Sequence, residues 1–292
     1  ILDSNNLERI KKSTVPVIFW HSGECHPTTM QSWFTLASSM LDRDIWYIDS
    51  NLNSNAHNHL FFDSSEFFRH KVKDRLVTTD DLIYKFIMIT DRSDIHKHII
   101  YNHLQSKHGK NSYCHYLNPM KLAMNYNNNL SDRQYLESFD CAPPPASNRL
   151  TEQQLGQLIS NSAIIISLNS YFVKEFSSPA GFFPLYITEK FLVDCMTNRP
   201  ILPVGHCGSV NYCKTLGFEF PDWIDYSYDS ILDDSKRMQT ILDEIDRLST
   251  LDLSTLSAEF SAGTNNMHLA SAYTAKPSFD NILCKILTRP LV

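Results

Sequence analysis

The densest group of chemistry-bearing side chains lies in Tyr186-Ile187-Thr188-Glu189-Lys190, which runs into the apolar Phe191, Leu192 and Val193. Ile187, Phe191 and Cys195 recur at i, i+4, so a helix over 187–198 with one inward face is expected. Thr188 is then a plausible cap, and Glu189 and Lys190 fall in the first turn. A lysine there runs against the preference for acidic residues at the positive end of a helix dipole. It fits a bound anion, which the ammonium and the free backbone N–H groups can share. Glu189 beside it offers an acceptor for two vicinal hydroxyls, such as those of a ribose. A surface ion pair at a helix start accounts for the same residues equally well.

Three further groups stand out. The apolar run 15–20 ends in His21-Ser22-Gly23-Glu24-Cys25-His26, which puts a carboxylate and two imidazoles at the end of a buried strand; an ordinary polar turn before a helix is the plain alternative. The apolar run 83–89 is followed by Thr90-Asp91-Arg92 and a helix over about 93–108 that contains Lys97. Strand, polar loop and helix place such groups at the carboxyl edge of a sheet. The run Phe67-Phe68-Arg69-His70-Lys71-Val72-Lys73-Asp74-Arg75 is the densest basic cluster. Arg69, Lys71 and Lys73 could grip phosphates beside stacking aromatics, or form the charged face of an amphipathic helix.

Alternating elements must position these residues. Strands are expected at 15–20, 45–48, 83–89, 163–168 and 200–204, and helices at 28–41, 93–108, 151–161, 187–198, 209–216 and 235–251. The helix at 28–41 rests on Met30, Phe34, Ala37 and Leu41. Asparagines at 125–129 and prolines at 143–145 mark loops. The pattern is that of an α/β protein with parallel sheets. Its expected division is a small N-terminal unit over 1–80, a larger unit over 81–260 and a helical segment over 261–292.

Composition narrows the chemistry. The 292 residues carry 26 Lys plus Arg against 32 Asp plus Glu, a formal charge of −6, so contact with nucleic acid would have to be local rather than spread over the surface. Only eight glycines are present, which disfavours a glycine-rich phosphate loop and favours a site built from helix ends and side chains. Seven cysteines without a Cys-x-x-Cys pair read as free thiols of a reducing, cytoplasmic setting. No apolar run is long enough to span a membrane. His57-x-His59, His96-x-His98, Cys25-His26 and Asp42-Arg43-Asp44 lack the spacing or context of a metal site, and no metal is expected.

Tyr186-Ile187-Thr188-Glu189-Lys190, with its apolar helix and the following Arg199-Pro200-Ile201-Leu202-Pro203-Val204-Gly205, resembles the donor-site signature of glycosyltransferases of the α1,3-fucosyltransferase type. The resemblance implies a GT-B fold, two Rossmann-like units facing a cleft that holds a nucleotide sugar, with Tyr186, Glu189 and Lys190 on the nucleotide diphosphate. Lys97 stands where the family has a diphosphate-binding arginine, keeping the charge without the bidentate fork; Arg92 lies just before it. The stretch from Gly217 to Asp229, with the helix after it, is similar to fucosyltransferase-like enzymes of phages and other large DNA viruses. The likeness covers about residues 83 to 250.

What it implies is transfer of a sugar from a nucleotide-sugar donor to an acceptor hydroxyl, with inversion and with no catalytic metal or further cofactor. Glu24 is the first choice of base, with His21 and His26 beside it, and Lys190 and Lys97 would stabilise the departing diphosphate. The acceptor is either a hydroxymethylated base in viral DNA, gripped through Arg69, Lys71 and Lys73 in the host cytoplasm, or a glycan on a viral or cell-surface molecule. An inactive sugar-nucleotide or glycan-binding module is the competing class.

Overall fold

A computed structural model describes residues 17–20, 45–49, 59–61, 82–90, 94–116, 145–169, 172, 189–253, 256 and 263–274. The helix expected over 28–41, the loop at 125–129 and the boundaries near residues 80 and 260 lie outside them. The chain divides into two compact units. One contains a parallel three-stranded sheet of β1 (Val17–Trp20), β2 (Ile45–Asp49) and β3 (His59–Phe61), in that order. Its register pairs Val17 with Ile45 and Tyr47 with His59.

The second unit is built on four parallel strands: β4 (Tyr84–Thr90), β5 (Ser112–Tyr116), β6 (Ser162–Leu168) and β7 (Ile201–Val204). Their order is β5-β4-β6-β7. Helix α1 (Ile95–His108) leads from β4 to β5, and α2 (Glu152–Ser160) precedes β6. Helix α3 (Glu189–Cys195) lies between β6 and β7, and α4 (Ser209–Thr215), α5 (Asp234–Ser249) and α6 (Gly263–Thr274) follow. An α/β fold with a parallel sheet is therefore present, and most expected elements of this unit fall within a few residues of their expected places. Strands β3 and β5 were not expected. Short polar strands such as Ser112-Tyr113-Cys114-His115-Tyr116 carry no continuous apolar run to announce them.

The central strands explain the layering. All seven residues of β6 are buried, and β4 pairs with it through Phe86–Ile164, Ile87–Ile165 and Met88–Ile166. Strand alternation sends Phe86, Met88, Ile164 and Ile166 to one face, against Ile99 and Leu104 of α1 and Ile241 and Ile245 of α5. Ile87 and Ile165 face the other way, against Leu155, Leu158 and Ile159 of α2. Thr151 and Gln154 start α2 with a capping box: the Thr151 hydroxyl accepts from the Gln154 N–H at 3.2 Å and Gln154 Oε1 accepts from the Thr151 N–H at 2.9 Å.

The stretch from Gly217 to Asp229 has a structural task here. Carbonyls of edge strand β7 that face away from β6 accept hydrogen bonds from Tyr226 Oη (to Ile201 O, 2.9 Å) and Tyr228 Oη (to Pro203 O, 2.7 Å). A proline is tolerated in such an edge strand because the missing N–H is not needed by the ladder. Asp229, in the 3₁₀ turn Ser227–Ser230, takes the N–H groups of Val210 and Asn211 on its two carboxylate oxygens at 2.9 Å each. It caps α4 from nearly twenty residues away, in place of any side-chain cap on Gly208. Asp229→Ala should therefore cost about 2 kcal/mol, because it strands N–H donors at a buried helix start, and Tyr228→Phe about 1 kcal/mol. Urea denaturation checks both, and a loss below about 0.5 kcal/mol for Asp229→Ala would contradict the capping role.

Candidate functional site

The strand order creates a crevice position. From β4 the chain crosses to β5 on one side, whereas β6 is followed by β7 on the other, so the sheet has a topological switch point between β4 and β6. Ligands of open α/β sheets bind outside the carboxyl ends of strands at such points. At this edge stand the first turn of α1, Asn169 at the end of β6, and Gly205-His206 at the end of β7.

His96 and Lys97 project from that first turn and are both buried. His96 Nε2 lies 2.9 Å from the Asn169 carbonyl, which fixes the tautomer with Nε2 protonated and donating. Its ring stacks on Phe172, with centroids 5.3 Å apart and planes 15° from parallel. Burial pushes the imidazole down to about 3, the charge of Asp94 opposing this and those of Lys97 and His206 adding to it. His96 is thus a neutral polar group at pH 7. Next to it on α1, His98 meets the edge of Tyr116 and burial pushes it down to about 4.

Lys97, expected as the diphosphate-binding cation, does lie at the carboxyl edge. It is wholly buried, with Nζ 2.5 Å from the Asp94 carboxylate. Asp94 occupies the N-cap position of α1 and makes no capping bond with its side chain. The ammonium offsets the desolvation of that carboxylate, and each charge depends on the other. Gly205 lets the ends of β6 and β7 approach: a Cβ there would come within 2.4 Å of Asn169 Nδ2 and 3.1 Å of Ser209 Oγ. His206, buried beside it, accepts on its carbonyl from Ser209 Oγ at 2.5 Å.

Lys190 is half-buried in the first turn of α3, which begins at Glu189. Phe191 and Cys195 turn inward as their spacing requires. Of Glu189 the backbone alone is described. Tyr186, Thr188, Arg92, Glu24, His21, His26, Arg69, Lys71 and Lys73 lie outside the described residues. His96, Asn169, Gly205 and His206 were not singled out for this edge. Their shared signal is position, since each lies within a few residues of the end of a strand.

Cys114, Cys195, Cys207 and Cys213 are free thiols. Burial raises all four above the ordinary thiol range, Cys114 to about 11, so none has the low pKa of an activated nucleophile. Among the described residues, no helix is long and apolar enough to cross a membrane. Among the described residues, His103, His108 and Asp246 form a three-residue group with metal-ligand chemistry that involves the far end of α1.

The class of protein defined so far is an α/β protein with a parallel sheet and a polar switch-point edge. No protein-family model matches the chain, and no curated protein matches it significantly.

The buried imidazoles set an acid response. His96 and His98 have folded values of about 3 and 4, against roughly 6.5 in an unfolded chain. Below that unfolded value the unfolded chain takes up protons that the folded chain refuses. Their contribution is thus complete above about pH 6.5 and is lost as pH falls toward 4 and then 3, at up to about 1.4 kcal/mol per unit for each. Between pH 6 and 5, Tm should fall more steeply for the natural chain than for His96→Gln. Equal slopes would show that His96 is not held neutral.

Proposed function

We propose that the chain is a nucleotide-sugar-dependent glycosyltransferase of GT-B type. The observation that carries this reading is the switch point of a parallel sheet, whose carboxyl edge gathers His96, Lys97, Asn169 and His206. The likeness of residues 186–190 and 199–205 to the fucosyltransferase donor signature supports the same reading. Lys190 carries charge to the departing diphosphate, with Tyr186 and Arg92 as further contacts and Thr188 at the helix start. Glu189 binds the ribose hydroxyls. Lys97, already paired with Asp94, serves the diphosphate by sharing its charge between carboxylate and phosphate. Neutral His96 supplies a polar ring that adds no repelling or competing charge.

Glu24, flanked by His21 and His26, takes the proton from the acceptor hydroxyl as its oxygen attacks the anomeric carbon. The bond from that carbon to the diphosphate breaks, and the electron pair leaves on the phosphate. Attack opposite the leaving group inverts the anomeric centre. The acceptor assigned here is a hydroxymethylated base of viral DNA approached through Arg69, Lys71 and Lys73, with a glycan hydroxyl as the other branch. One observation favours a second reading, a sugar-nucleotide-binding module without turnover. The Asp94 carboxylate at 2.5 Å leaves Lys97 less able to stabilise a leaving group.

A thermal-shift panel of UDP, GDP and CMP with their sugars tests the class. One nucleotide should raise Tm by several degrees, and Lys190→Ala should weaken it about tenfold, or 1.4 kcal/mol. If no member of the panel stabilises the chain, the proposal fails. Glu24→Gln should abolish transfer and leave nucleotide affinity unchanged; nucleotide binding with no product from any acceptor would favour the binding module. Binding of hydroxymethylated duplex DNA should weaken steeply with salt, and salt-independent binding would remove the DNA branch.

A further inference from the structure

At the far end of α1 from His96 and Lys97, two imidazoles converge on one carboxylate oxygen. His103 Nε2 lies 2.7 Å and His108 Nε2 2.6 Å from Asp246 Oδ1, while Lys107 donates to Oδ2 at 2.8 Å. The two ring centroids are 5.6 Å apart, and the three candidate ligand atoms all lie within 4.8 Å of one another. Their carriers are firmly placed. α1 and α5 pack through Ile100, Leu104, Ile241 and Ile245, and the His108 carbonyl accepts from the Asn111 N–H at 2.8 Å and Ser112 Oγ at 2.9 Å.

We propose that His103 Nε2, His108 Nε2 and Asp246 Oδ1 form a binding site for a divalent transition-metal ion of the zinc class, with water completing the coordination. Two imidazoles and a carboxylate are a donor set that zinc accepts. Without an ion, two N–H donors sharing one oxygen hold the three atoms around a common point. Bonds of about 2.0–2.2 Å to a tetrahedral ion need these atoms roughly 3.3 Å apart. The two Nε2–Oδ1 separations must therefore open by roughly 0.6–0.7 Å, within reach of small side-chain rotations. Each imidazole then binds as the neutral tautomer protonated on Nδ1, and Lys107 keeps Oδ2, so Asp246 binds through one oxygen. The five-residue interval from His103 to His108 departs from the His-x3-His pattern of helical zinc sites. Asp246 removes the need for that pattern by entering from α5 to meet both rings.

The ion would pin the end of α1 to α5, and the site does not depend on the nucleotide-sugar reading. Cobalt(II), a spectroscopic stand-in for zinc, tests it on the whole chain freed of metal by chelation. The expected result is saturable binding of one equivalent, with visible absorption bands of a tetrahedral or five-coordinate ion and a rise in Tm of a few degrees. His103→Gln, His108→Gln and Asp246→Asn should each weaken binding at least tenfold, with circular dichroism confirming the fold. Lys107→Ala should keep or strengthen binding, since it removes a competing cation. No saturable cobalt binding by the folded natural chain would overturn the proposal. So would binding that survives in the His103→Gln/His108→Gln double variant, or a near-ultraviolet thiolate charge-transfer band, which would place the ion on cysteine.

Discussion

Burial of β6 on both faces is the constraint from which the larger unit follows. Seven consecutive buried residues leave no face for water, so helices must cover both sides. Parallel strands meet this demand because each crossover returns the chain over a face of the sheet. The two sets of side chains on β4 and β6 show the result, with Phe86, Met88, Ile164 and Ile166 against α1 and α5, and Ile87 and Ile165 against α2. Placing β6 beside β4 also opens the switch point, so the packing demand and the candidate site have the same origin.

Covering a parallel sheet this way buries polar groups, and they are satisfied across long sequence separations. Arg237 of α5 is 1% exposed; it donates to Ile231 O at 2.9 Å, to Phe172 O and to Asp234. Its guanidinium also lies 4.3 Å from the centre of the Phe172 ring. Phe172 in turn stacks on His96, so a contiguous set of contacts joins α5 to the first turn of α1. Glu244 accepts from the Asp225 N–H at 2.8 Å and pairs with Arg247. Helix α5 thus supports the cover of the sheet with its apolar face and the irregular segment before it with its charged residues.

This division explains which parts were legible in the sequence. The run Ala163-Ile164-Ile165-Ile166 announces a strand by itself, because that signal is local. β5 could not be read in the same way, since an edge strand needs no apolar alternation when only part of it faces the core. The role of Asp229 was equally hidden. Nothing near it in sequence reveals that its partners are the N–H groups of Val210 and Asn211. For Lys97, the place at the carboxyl edge could be read from strand, loop and helix. Its ion pair with Asp94 depends on side-chain direction within one helical turn, which the pattern does not specify.

That ion pair sharpens what any anion site at this edge requires. A buried ammonium beside a carboxylate contributes a dipole more than a full positive charge, and His96 is neutral at pH 7. An anion bound at the first turn of α1 would therefore be held chiefly by directed donors rather than by net charge. Directed donors have a definite geometry, so such an edge discriminates by shape where a cluster of exposed lysines would bind many anions weakly. Lys190, in the first turn of α3, is by contrast only half-buried. Two lysines of the same formal charge therefore differ at this edge and beyond it, Lys97 wholly buried in its ion pair with Asp94 and Lys190 nearer the surface in the first turn of α3.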